Sequence, residues 1–144
     1  MTAPKPEGMR ACIDVDDVER GIAFYTRGLG LEVGRRFDDA WVELLGGPVP
    51  IDLLGRAAGT ASNPGPRAPR RSYRRHWTPV HLDFVVGDLD AAVERAQAAG
   101  ARVEGELGDY AWGRIARLAD PFGHGLCLLE FRGRGYDEVL KPGG

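Results

Sequence analysis

The feature that most constrains the fold is an internal repeat, in which two segments of the 144-residue chain align at an offset of 71 residues. Each copy opens with a strand-like run, which is followed by an aspartate suited to capping a helix, Asp17 in the first copy and Asp88 in the second. Apolar residues then recur at helical spacing until a glycine, Gly28 or Gly30 in the first copy and Gly100 in the second. The repeat therefore predicts one amphipathic helix in each copy.

Alternating apolar residues predict three strands after each helix. They cover Leu31 to Phe37, Trp41 to Leu45 and Val49 to Leu54 in the first copy, and Arg102 to Leu107, Arg114 to Leu118 and Gly125 to Phe131 in the second. One helix covers only one face of such a β-α-β-β-β unit, so two units must combine to form a stable domain. The predicted class is α+β, with two tandem βαβββ modules at residues 8–54 and 78–132 and a C-terminal tail at 133–144.

The connector between the modules, residues 55–77, is rich in proline, glycine and arginine and contains no acidic residue. Two interpretations of it remain open. It is either a solvated mobile linker, or a lid that steers anions towards a pocket, since connectors of this length are uncommon in compact domains.

Composition and charge exclude several classes of protein. A formal net charge of −2 gives no general attraction to nucleic acid or to an anionic membrane. No apolar run approaches the ~20 residues of a membrane helix, and the N-terminal MTAPKPEG lacks the apolar core of a signal peptide. Two cysteines without CxxC spacing are too few for a disulfide scaffold. We therefore expect a cytoplasmic protein with neither nucleic acid nor membrane as its partner.

Strand alternation also predicts which side chains point away from the helices. In the first strands of the two modules these include Arg10 and His81, which occupy equivalent positions. In the last strands they include Asp52 and Cys127. A concave face with a few polar groups among apolar ones is typical of a small-molecule pocket. The pattern therefore predicts ligand binding by these four side chains.

The paired modules, the helix entry VDDVERGIAFYTRGLGLEV and the ending DPFGHGLCLLEF resemble the vicinal oxygen chelate superfamily. That superfamily includes glyoxalase I, bleomycin-resistance proteins, fosfomycin-resistance enzymes and extradiol dioxygenases. The resemblance covers about residues 8–132 apart from the connector. It implies a cupped, incomplete barrel-like sheet, a binding site in the cup between the modules and a two-fold homodimer.

In enzymes of that superfamily a divalent metal in the cup is held by His, Glu or Gln from the first and last strands of the modules. The corresponding positions here are Arg10, Asp52, His81 and Cys127. Arginine cannot be deprotonated in practice, and its charge repels a divalent ion. We therefore expect no metal cofactor; if a divalent metal does bind, we expect Asp52, His81 and Cys127 to hold it.

Three functions are consistent with these residues. The first is metal-independent binding of a small anionic or aromatic molecule, as in bleomycin-resistance proteins, with Arg10 as the charge anchor and Trp41 and Trp112 available for stacking. The second is a divalent-metal-dependent lyase, isomerase or dioxygenase of the same superfamily. The third is a metal-free enzyme that uses Asp52 or His81 as general base. The sequence favours the first function and leaves open whether the protein is an enzyme.

Overall fold

The computed structural model describes residues 2–143, which divide into two compact units. The first unit comprises the residues up to Thr26 together with Gly30–Ser72, and the second comprises Arg27–Leu29 together with the residues from Tyr73 onward. Each unit has its own mixed sheet, of four strands in the first and five in the second, and the sheets do not close into a barrel. The α+β class is confirmed. No helix in residues 2–143 has the length and apolar character needed to cross a membrane.

The first unit follows the predicted βαβββ order. Its elements are β1 (Ala11–Val15), α1 (Val18–Arg27), β2 (Glu32–Asp38), β3 (Trp41–Leu45) and β4 (Ile51–Gly55). The sheet order is β1-β4-β3-β2, in which β1 and β4 are parallel and the other pairs are antiparallel.

Helix α1 begins where the sequence predicts, because the carboxylate of Asp17 accepts a hydrogen bond of 3.0 Å from the backbone N–H of Arg20. It packs closely on β1 and β4. A Cβ added at Gly21 would lie 3.1 Å from Leu53 and 3.3 Å from Val15, so a glycine permits the close approach of helix and sheet. The largest core side chains of this unit, with relative exposures near zero, are Phe24, Tyr25, Leu44, Leu53, Val15 and Val42.

The second unit repeats this plan with one additional short strand. Its elements are β5 (Leu82–Val85), α2 (Leu89–Ala98), β6 (Arg102–Val103), β7 (Gly108–Tyr110), β8 (Gly113–Ala119), β9 (Gly125–Phe131) and a 3₁₀ helix (Gly135–Val139). The order is β5-β9-β8-β6, with β7 paired to β8. The single strand predicted from Arg102 to Leu107 is wrong: it ends at Val103, because Gly105 has a φ of +72° and turns the chain.

Each sheet has a far face, which we define as the face turned away from the unit's own helix. Because β1 and β4 place Val15 and Leu53 against α1, alternation places Cys12 and Asp52 on the far face. In the second unit the parallel register pairs Asp83 with Cys127, which lie on the far face in the same way. The alternation predicted from the sequence therefore gives the correct face for these residues.

The connector has its own structure. Ala61 and Arg70 form a β-bridge within a small hairpin, and the guanidinium of Arg71 donates a hydrogen bond of 2.7 Å to the carboxylate of Asp14 on β1. Further along, the backbone N–H of His76 donates to the carbonyl of Gly123 in the turn between β8 and β9. These contacts do not fit the mobile-linker interpretation, whereas the lid interpretation and the predicted module boundaries stay predictions.

Candidate functional site

The far face of the first unit carries a cluster of four charged side chains, centred on Arg10. Its guanidinium donates two hydrogen bonds to Asp52, from Nε to Oδ2 (2.9 Å) and from Nη2 to Oδ1 (2.8 Å). The same Nη2 donates to Oε2 of Glu43 at 2.6 Å. Glu43 and Asp52 are Cα partners on β3 and β4, so their two carboxylates project side by side. One arginine therefore bridges two neighbouring carboxylates.

A second arginine completes this cluster. Arg35 donates from Nε to Oε1 of Glu43 (3.0 Å) and from Nη2 to Oε2 (2.8 Å), so Oε2 accepts hydrogen bonds from both arginines. The hydrogen bonds from Arg35 and then Arg10 lower the pKa of Glu43 to about 2, and those from Arg10 lower the pKa of Asp52 despite its burial. Both carboxylates are ionised at neutral pH, and the four charges balance.

In this cluster the negative groups are buried and the positive groups are exposed. The side chains of Glu43 and Asp52 are 3% and 6% exposed, whereas those of Arg10 and Arg35 are 41% and 67% exposed. The negative groups lie within the sheet and the positive groups lie above it. Solvent, or a ligand on this face, therefore meets two guanidinium groups that are fixed from below.

Two exposed aromatic side chains lie beside the arginines. The rings of Phe37 and Trp41 have centroids 4.0 Å apart, and both residues are about two-fifths exposed. The indole Nε1 of Trp41 donates to Oδ1 of Asp52 at 3.1 Å, and the guanidinium of Arg35 lies 5.1 Å from the Phe37 ring centroid. These contacts give the aromatic pair a defined position next to the positive groups.

The far face of the second unit brings three possible metal ligands together. His81 immediately precedes β5, Asp83 lies within it, and Cys127 is the Cα partner of Asp83 on β9. Their ligand atoms all lie within 4.8 Å of one another, and Nδ1 of His81 is 3.0 Å from Oδ1 of Asp83. Burial, with a further contribution from Asp83, raises the pKa of the Cys127 thiol to about 11. This thiol is protonated at neutral pH, which does not favour a role as nucleophile.

The indole ring of Trp77, in the connector, lies against this group of three residues. It contacts the imidazole of His81 edge to face, with ring centroids 5.6 Å apart. A Cβ at Gly125 would come within 2.6 Å of the ring, so a glycine is needed beneath it. Arg75 and Glu104 fix the ring from outside, because the Arg75 guanidinium lies 4.6 Å from the ring centroid and Nε1 donates to Glu104 at 3.1 Å.

The six residues predicted to bind ligand fall into three groups. In the first unit Arg10 and Trp41 both donate hydrogen bonds to Asp52, and the second unit brings His81 and Cys127 together. Trp112 belongs to neither group. Its ring stacks on that of Tyr110 at 5.5 Å, within an aromatic cluster that includes Phe131 and Tyr136.

The four superfamily metal positions are a poor fit to a divalent ion as a set. Arg10 places a guanidinium at one of them, and the carboxylate of Asp52 already accepts two hydrogen bonds from it. The one group of three possible ligands found among residues 2–143 contains Asp83, and it does not contain the expected Asp52. The predicted set of Asp52, His81 and Cys127 has one member in the first unit and two in the second, and it stays a prediction.

Sequence reasoning missed three residues of the cluster in the first unit: Glu43, Arg35 and Phe37. A signal for Glu43 was present, since an acidic residue at the centre of the strand WVELL shares a face with Trp41 by alternation. Arg35 and Phe37 were harder to place because β2 contains irregularities in its register, which disturb simple alternation.

Comparison with known proteins supports this description of the fold. Relatives include the anthracycline biosynthesis proteins DauV of Streptomyces sp. (strain C5), 34% identical over 81% of this chain, and DnrV of Streptomyces peucetius, 44% identical over 41% of it. The matches span 38% and 20% of those two proteins, so this chain corresponds to only part of their length.

Solved structures show the same fold at low sequence identity. The fosfomycin resistance protein FosX from Listeria monocytogenes has a TM-score of 0.70 and 19% identity, over 96% of this chain and 99% of that one. A glyoxalase/bleomycin resistance protein/dioxygenase from Nocardioides has a TM-score of 0.65 and 22% identity, over 99% and 91%. The sequence profile of the glyoxalase-like domain matches residues 10–129. The chain therefore belongs to the glyoxalase-like domain family of the vicinal oxygen chelate superfamily.

Proposed function

We propose that this protein binds a small anionic, aromatic molecule, and that the far face of the first unit supplies the charge anchor. The observation that carries the proposal is the layering of charge, with Glu43 and Asp52 buried beneath the exposed guanidinium groups of Arg10 and Arg35. Because the carboxylates fix the arginines from below, a ligand need not order long flexible side chains when it binds.

Both arginines retain unused donors. Among the interactions described for residues 2–143, the Nη1 atoms of Arg10 and Arg35 have no hydrogen-bond partner. Their Nη2 atoms meet at one carboxylate oxygen of Glu43, which keeps the two groups close. A carboxylate or phenolate oxygen of the ligand is the acceptor that suits such a pair of donors.

The neighbouring aromatic pair supports the aromatic part of the proposal. Phe37 and Trp41 present exposed ring surface beside the guanidinium groups, so a planar ligand can stack on the rings while its anionic group meets the arginines. The names of DauV and DnrV connect two relatives with anthracycline biosynthesis. Fused-ring aromatic compounds with phenolic oxygens are therefore the first ligands to test.

In this proposal the ligand is captured without a metal ion at the position of Arg10. The arginine supplies positive charge where superfamily enzymes bind a metal, and its two carboxylate partners are already neutralised by it. We also propose that His81, Cys127 and Trp112 of the second unit contribute to ligand binding. We further propose a homodimer, which the resemblance supports, and a cytoplasmic location.

Arg35→Met is the most direct test of this binding site. Removing Arg35 leaves Arg10 paired with Glu43, so the fold is preserved while one ligand donor is lost. We expect affinity for fused-ring aromatic carboxylates and phenolates, measured by quenching of tryptophan fluorescence, to fall by about tenfold or more. Arg67→Met, at an exposed position in the connector hairpin, makes the same change in charge and should leave affinity unchanged. Equal effects of the two variants, or no binding of such compounds by the wild type, would refute the proposal.

A further inference from the structure

A comparison of the two units leads to a second site, which rests on other observations than the charge anchor of the first unit. The repeat places His81 at the position of Arg10 and Asp83 at that of Cys12, and the strand registers pair Cys12 with Asp52 and Asp83 with Cys127. The same three positions on the same backbone framework therefore carry Arg10, Cys12 and Asp52 in the first unit. In the second they carry His81, Asp83 and Cys127.

The two sets differ in how their negative charge is balanced. In the first unit the guanidinium of Arg10 forms an ion pair with the carboxylate of Asp52, so the charges of that set cancel. In the second unit the equivalent of Arg10 is a histidine, which offers a nitrogen lone pair when it is neutral. The set then contains one nitrogen, one oxygen and one sulfur donor within 4.8 Å of one another.

We propose that His81, Asp83 and Cys127 form a zinc(II) site in the second unit, with three protein ligands and an open fourth position. An imidazole, a carboxylate and a thiolate are all established zinc ligands, and three protein ligands with one open position is the arrangement of reactive zinc sites. When zinc binds, the Cys127 thiol releases its proton to solvent, and the resulting thiolate together with the carboxylate neutralises the two charges of the ion. This is not the four-position arrangement implied by the resemblance, since Asp83 takes part and all three ligands belong to one unit.

The positions of the three side chains allow them to coordinate one ion. Ligand atoms on one tetrahedral zinc lie roughly 3.3–3.6 Å apart, given bond lengths of about 2.0 Å to nitrogen and 2.3 Å to sulfur. The side chains of His81 and Asp83 are 37% and 39% exposed, so they can rotate towards the buried sulfur of Cys127. Arg117, the Cα partner of Cys127 on β8, is exposed, and solvent screens its charge.

The test is a titration of the metal-free protein with cobalt(II), which replaces zinc and reports its ligands by absorption. A thiolate ligand produces a charge-transfer band in the near ultraviolet, and tetrahedral coordination produces intense visible bands. We expect both to saturate at one equivalent in the wild type and to be displaced by zinc. Cys127→Ser should abolish the charge-transfer band. Cys12→Ser is the control, because it removes the other cysteine, which lies on the far face of the first unit, and should keep the band.

Asp83→Asn gives a second test that does not disturb the core, since this side chain is exposed. We expect it to weaken cobalt affinity by more than about tenfold, whereas Asp109→Asn, at an exposed carboxylate of the same unit, should leave affinity unchanged. Circular dichroism would verify that each variant is folded. The absence of a charge-transfer band in the wild type, its loss in Cys12→Ser, or unchanged affinity in Asp83→Asn would each overturn the proposal.

Discussion

Glu43 shows how much a single carboxylate can organise on a sheet surface. Its two oxygens accept hydrogen bonds from Arg10 and Arg35, and its side chain is almost fully buried. A buried carboxylate is tolerated here because two guanidinium groups compensate for the loss of its hydration. Its removal would leave two exposed arginines close together without the anion that holds them.

Glu43→Gln should therefore change the dependence of stability on pH. The folded-state pKa of Glu43 is lowered from 4.5 to about 2, so its contribution is fully present above pH 4.5 and is lost as the pH falls towards 2. We expect the melting temperature of the variant to be lower than that of the wild type at pH 7 by about 3 °C or more, and to decline less between pH 4.5 and 2. Glu94→Gln, at an exposed position on α2, should follow the wild-type profile. Parallel wild-type and Glu43→Gln profiles would contradict this account.

Among the elements, the segment Tyr73–Trp77 depends most on contacts distant in sequence. Arg75 pairs with Glu104, and the ring of Trp77 occupies the space above Gly125. No local pattern predicts these contacts, because proline, glycine and arginine without alternation are typical of exposed loops. The structure thereby ties the end of the connector to the second unit.

Gly125→Ala should release this segment. The added methyl group would come within 2.6 Å of the Trp77 ring, which must move away at a cost of about 1–3 kcal/mol. We expect faster trypsin cleavage after Arg74 and Arg75, followed by mass spectrometry of the fragments. Gly87→Ala is the control, because a Cβ there has no atom within 4 Å. If cleavage in this segment is equally slow in both variants, Trp77 is not what holds it.

Local sequence patterns predicted the helices and most strands, since capping aspartates, terminal glycines and alternation act within a few residues. Asp88 caps α2 as expected, because its carboxylate accepts a 3.1 Å hydrogen bond from the backbone N–H of Ala91. Ion pairs between residues far apart in the sequence, such as Arg71 with Asp14, leave no such pattern. The sequence therefore predicted the face on which the site residues lie and left Asp52 among three possible partners of Arg10, but it did not predict that Glu43 and Arg35 join the cluster.

At the scale of the whole molecule, the expected assembly is a two-fold homodimer. Both sheets end in strands that have a neighbour on one side only, and such edges are commonly covered in stable proteins. We expect sedimentation equilibrium at micromolar concentration to give twice the monomer mass of 15.6 kDa. A single species of 15.6 kDa would contradict the prediction.

The internal repeat also bears on how this chain can change over generations. Because the equivalent positions of the two units carry different side chains, a mutation at one set leaves its counterpart untouched. Under the proposed function, selection can then alter ligand preference through Arg35 or Phe37 while the side chains of the second unit stay the same. A duplicated framework in one polypeptide thus gives evolution two surfaces to modify separately, without the need for a second gene.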